Sequence, residues 1–147
     1  MNFNEQPVAV GRLHIELFGE DGALKKVMEI PNLVVDSGKA FIASRMKDAT
    51  DTPMSHMAVG TDDTAAAGGQ TALLAEVARV ALTSTSVSGN VVTYVASFPA
   101  GTGTGALTEA GIFNAGSAGT MLCRTVFSVI NKGALDSMTI TWTVTIS

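Results

Sequence analysis

The closing segment SMTITWTVTIS, residues 137–147, fits an extended backbone and little else. Met138, Ile140, Trp142, Val144 and Ile146 alternate with Thr139, Thr141, Thr143 and Thr145, so a strand puts five apolar side chains on one face and threonines on the other. A helix would scatter the same residues around its axis. The two-residue period recurs in RLHIELF, where Leu13, Ile15 and Leu17 oppose Arg12, His14 and Glu16, and again at Val92, Tyr94, Ala96 and Phe98. Strands that are apolar on one face belong to antiparallel sheets packed over a shared core.

Between these runs the chain is punctuated by turns. GEDGALKK reads as a hairpin, and KKVMEI returns as a second strand that stops at Pro31. NLVVDSGKAFIASRMKD is the one good helix segment, about ten residues near 37–47, with Asp36 or Ser37 as cap and Phe41, Ile42, Arg45 and Met46 at helical spacing. MSHMAVG makes a short strand and TDDTAAAGGQ a loop. Thr71 to Ala78 has helical propensity, yet two β-rich runs around a Ser88-Gly89-Asn90 turn follow it, so any helix there is brief. MLCRTVFSV is a further strand and INKGALD a turn. The expected fold is mainly β, an antiparallel β-sandwich or jelly roll with one short α-helix near residues 37–47. Residues 11–147 form a single β-sandwich domain. Residues 1–10, which contain Pro7 and no period, form an N-terminal arm.

The run PAGTGTGALTEAGIFNAGSAGT, residues 99–120, raises the question of a phosphate cradle. A dinucleotide fingerprint needs G-x-G-x-x-G opening a helix, and Ala106 stands where the third glycine belongs. A Walker loop needs Lys and Ser or Thr after its last glycine, and neither follows. The run reads as a flexible bridge between strands. His14 and His56 each lack a second His or Cys at ligand spacing, and the adjacent Asp62 and Asp63 suit a turn better than a cation. No G-x-S-x-G elbow anchors a hydrolase triad. Sugar sites need aromatic platforms, and of the single Tyr and single Trp the latter, Trp142, lies on an apolar strand face as core. The lone Cys123 reads as a packed core thiol. Catalytic, cofactor and metal sites are therefore all expected to be absent.

Glu109 is the exception among the charged residues, enclosed in TEAGIF by small and apolar neighbours. A carboxylate there must pair, and Arg79 and Arg124, each inside an apolar run, are the candidate partners in a structural ion pair.

Charged residues make up 15% of the chain, against about 25% for an ordinary soluble domain, while 46% is hydrophobic. So little charge covers a free monomer poorly, which predicts assembly with copies of itself or a larger partner. A net charge of −4 without a cluster of Lys or Arg argues against nucleic acid. No apolar run approaches the roughly 18 residues of a membrane span. The arm (Met1, Phe3, Pro7, Val8 and Val10) and the glycine run (Gly101, Gly103 and Gly105) are the expected partner contacts. The threonine-laced terminal strand is expected to extend a sheet across a subunit boundary.

The succession NLVVDSGKAFIASRM, MSHMAVGTDDTAA, TALLAEVARV and TEAGIFNAGSAGTMLCRTVFSVINKGALDSMTITWTVTIS resembles the capsid cement (decoration) proteins of tailed phages, jelly-roll type, with related sequences in tail-fibre and collar modules. The likeness spans about residues 31–147 and rests on the set of E-A-G-I-F, M-L-C-R-T-V-F and the threonine-rich last strand. It implies a non-enzymatic virion structural protein, made in the host cytoplasm and seated on the outer capsid surface. There it would clamp neighbouring major capsid proteins as a homodimer, with a trimer as the alternative. The other reading it leaves is a tail-fibre or collar module in host attachment.

Overall fold

The structure is a computed structural model and describes residues 9–147. Nine strands and one helix follow in chain order: β1 (Ala9–Phe18), β2 (Leu24–Val34), α1 (Asp36–Arg45), β3 (His56–Gly60), β4 (Glu76–Ala81), β5 (Ser84–Ser88), β6 (Val91–Phe98), β7 (Gly105–Phe113), β8 (Met121–Lys132) and β9 (Ser137–Ile146). All pair antiparallel in one curled sheet of order β4-β3-β7-β8-β2-β1-β9-β6-β5, which folds over itself as a jelly-roll-like β-sandwich. The mainly β fold with one short helix is thus the one the alternating runs predict.

The alternation sets the packing directly. Leu13, Trp142 and Tyr94 stand side by side across β1, β9 and β6, as do Ile15, Ile140 and Ala96, and Leu17, Met138 and Phe98. These three rows form one wall of the core. The opposite wall comes from β3, β7 and β8, including Met57, Ala110, Ile112 and Cys123. Trp142 and Cys123 are fully buried, as expected. The strand ladder between the halves is short, pairing Leu33 with Arg124 and Val34 with Cys123, and Thr125 Oγ1 adds a hydrogen bond to the Pro31 carbonyl (3.0 Å).

Several local expectations are corrected. β2 runs through Pro31 to Val34; over Leu24–Asn32 its paired neighbour is β1, so it is an edge there and the missing proline N–H can face the open side. α1 forms where the spacing put it, but neither Asp36 nor Ser37 caps it. Val35 holds the cap position without a side-chain hydrogen bond, the Asp36 N–H donates to the Gly68 carbonyl (2.8 Å), and Ser37 Oγ donates to the Met121 carbonyl (2.9 Å). Gly38 lets α1 sit hard against β8, because a Cβ there would fall 2.1 Å from the Leu122 carbonyl oxygen. No helix forms over 71–78; Leu74 and Ala75 donate their N–H groups to Glu109 instead of to a helical turn, and β4 starts at Glu76. β9 lies between β1 and β6 with both its edges paired, so it is no free edge. Ala9 and Val10, expected in the arm, belong to β1, and the rest of the expected arm, residues 1–8, lies outside the described residues.

Candidate functional site

β7 is buried on both faces from Leu107 to Phe113. Its inner face meets the core, and its outer face is roofed by the long β3–β4 connection, residues 61–75. Leu73 packs over Gly111 and joins Val35, Ala58, Phe113 and Met121 in a second apolar cluster. A strand covered on both sides has no water to offer a charge at its middle. Glu109 stands there, fully buried, and so does Arg124 on the neighbouring β8.

The Arg124 Nε donates to Glu109 Oε1 at 3.1 Å, and Nη2 lies 3.0 Å from the same oxygen. Glu109 also accepts backbone N–H bonds from Leu74 (3.0 Å) on Oε1 and from Asp62 (3.1 Å) and Ala75 (2.8 Å) on Oε2. Arg124 Nη1 in turn donates to the Thr64 carbonyl (2.8 Å) and to Gln70 Oε1 (3.1 Å). The pair therefore holds the roof loop at both ends, and its oxygens are saturated by donors. Asp62, whose carboxyl sits below its ordinary value through hydrogen bonds from Thr64, lies 3.7 Å from Arg124 Nη2.

Of the two expected partners, only Arg124 meets Glu109. Arg79 does not: it points to the outer surface of β4, where Nη2 lies 2.7 Å from Glu76 Oε1. Its Nη1 donates to the carbonyls of Ala115 (3.0 Å) and Ala118 (2.9 Å), and its guanidinium stacks 3.8 Å from the centroid of the Phe113 ring. Arg79 thereby ties the 114–120 turn to the sheet.

The glycine run is not a flexible bridge. Its middle is strand β7, and its first turn is fastened: Lys132 Nζ donates to the Pro99 carbonyl (3.0 Å) and the Gly101 N–H to the Ala134 carbonyl (2.9 Å). Of the expected contact residues, Gly103 is buried and at φ 71 faces Val59, Phe98 and Ala78, so it cannot meet a partner. Gly101 is exposed and Gly105 half-buried. Val10 is 51% exposed at the start of β1. Met1, Phe3, Pro7 and Val8 lie outside the described residues.

On the outer face of the β1–β2 hairpin, Arg12, His14, Glu16 and Glu29 make an exposed charge cluster. His14 Nε2 pairs with Glu16 at 2.8 Å and its Nδ1 lies 3.4 Å from Glu29, contacts that raise the imidazole above its usual pKa. Arg12, 2.6 Å from Glu29, holds that carboxyl below its usual value. No group of three metal-ligating side chains occurs among the described residues, and no helix there is long and apolar enough to cross a membrane.

Large apolar side chains nevertheless remain at the surface. Among the described residues eleven are exposed, including Met46 at 85% and Val87 at 70%. An apolar groove between α1 and the β5–β6 end of the sheet is lined by Phe41, Ile42, Met54, Val87, Val92 and Tyr94. Burial of Tyr94 beside that groove pushes its phenol up to about 12.

No protein-family model, curated protein or solved structure matches the chain.

Proposed function

We propose that this protein is a non-enzymatic structural component of a phage virion, which decorates the outer capsid surface and clamps neighbouring major capsid subunits. The observation that carries the reading is the mismatch between surface and solvent: a chain with 15% charged residues leaves eleven large apolar side chains exposed among the described residues. A surface of that kind favours being covered by other subunits. The sequence resemblance to cement proteins supplies the identity of the cover. The Glu109–Arg124 pair fits a structural role, because both carboxylate oxygens already accept internal donors and leave no lone pair turned to a substrate. Rigid loops fit as well. A clamp under internal pressure needs its contact surfaces fixed in advance, and the roof loop and the 99–104 turn are both fastened to the sheet.

The test is addition of purified protein to emptied capsids of the encoding phage. Saturable binding with an increase in the temperature of capsid disruption supports cement. Binding to host cells with no effect on capsids would replace it with the tail-fibre or collar reading.

A further inference from the structure

β5 buries none of its five residues, yet it is a regular strand at one end of the sheet. Such a strand stabilises a lone molecule only through its ladder with β6, and its outer row of N–H and C=O groups is open. Natural sheets defend open edges with Lys, Pro, inward charges or bulges. The opposite end of this sheet follows that rule, since β4 carries Glu76 and Arg79, and the unpaired flank of β2 carries Lys25, Lys26 and Glu29. The edge at β5 has no such defence. From Leu82 to Asn90 the sequence is LTSTSVSGN, without a charge or a proline.

We infer that β5 is a pairing edge for a second copy of this chain, with the two β5 strands antiparallel about a two-fold axis through Ser86. The segment is self-complementary in that arrangement. Ser84 falls opposite Ser88 of the partner, Thr85 opposite Val87, and Ser86 opposite its own copy, so no like charges or bulky residues meet. The faces agree too. Thr85 and Val87 share the side of Tyr94 and Val92, their partners on β6, so the second copy's Thr85 and Val87 extend the apolar side of the sheet beside the α1 groove. Val87 is 70% exposed in the single chain and would be covered by the partner's Thr85 opposite it and the partner's Val87 on the diagonal. This inference rests on the strand edge alone. Capsid binding by a monomer would overturn it and leave the cement reading standing.

The experiment is sedimentation of the full chain with two variants. The unaltered protein is expected at twice its 15.1 kDa chain mass, and Val87→Lys, which places charge on an already exposed site, at the single mass. Ser86→Cys is expected to form a covalent dimer on mild oxidation, because residues on the dyad face each other across about 4.5–5.5 Å. Cys123 is buried and does not compete. Ser97→Cys, exposed on the same face of β6 but far from the axis, is the control and should stay monomeric on oxidation. A monomeric unaltered protein at about 100 µM, well above a micromolar Kd, would overturn the inference. So would a dimer that survives Val87→Lys and fails to cross-link through Ser86→Cys.

Discussion

Removing the Glu109 carboxylate is the sharpest test of how the roof loop is held. In Glu109→Ala the Arg124 guanidinium keeps its full burial and loses its counter-ion, while the N–H groups of Asp62, Leu74 and Ala75 lose their acceptor. Breaking a buried pair from one side costs about 3–5 kcal/mol. For a chain near 150 residues each kcal/mol lowers the melting temperature by about 2–4 °C, so a fall of about 6–20 °C is expected by calorimetry. Glu109→Gln keeps one acceptor oxygen but turns an amide NH2 toward donors, and should fall between Ala and the unaltered protein. The double variant Glu109→Leu/Arg124→Met removes both charges and should regain much of the lost stability. It cannot restore the loop, because three backbone donors still lack their partner. Hydrogen exchange at Leu74 and Ala75 should therefore stay fast in the double variant although its melting temperature recovers. A change under about 2 °C in Glu109→Ala, or unaltered protection at those two amides, would refute the argument.

Three further outcomes follow from the geometry. Gly38→Ala should destabilise, by about 1–3 kcal/mol in chemical denaturation, although alanine is the better helix former, because its Cβ collides with the β8 backbone at Leu122. Asp136 accepts from Lys25 Nζ (2.9 Å) and from the Gly133 N–H (2.8 Å), and these bonds hold its carboxyl below the ordinary 3.8. A depressed folded-state pKa gives stability that is present above the unfolded value and disappears as pH falls through the folded one, so the stability gap between the unaltered protein and Asp136→Asn should close below about pH 4 in acid titrations. Burial pushes the Cys123 thiol up to about 12, and thiol reagents at pH 7 to 8 should label it only after denaturant opens the core.

The strands were legible wherever one face meets the core and the other meets water, as in β1, β6 and β9, because period two then appears in the residue types themselves. β7 was not legible for the opposite reason. Covered on both faces, it alternates nothing, and its glycines and alanines resemble a linker until Leu73 and the roof loop are placed over Gly111. The ion pair was half legible: a lone acid among small residues announced a buried charge, but whether Arg79 or Arg124 answers it depends on strand register. Gly111 pairs with Arg124 and Ala58 with Arg79, so both arginines flank the same stretch of outer surface. The roof loop, with its three N–H groups and the Thr64 carbonyl, gathers Arg124 to Glu109, while Glu76, the Ala115 and Ala118 carbonyls and the Phe113 ring hold Arg79 away. The helical propensity of 71–78 yielded to those same bonds, a tertiary acceptor outcompeting a local one.

The strand order makes the molecule a single ribbon with two unlike tips, Glu76 and Arg79 salting one and hydroxyls finishing the other. If β5 pairs with its own copy, a ribbon open at that tip and guarded at the other terminates after a single doubling. Head-to-tail stacking into endless fibres, the standing hazard of exposed β edges, would then be opposed by that asymmetry.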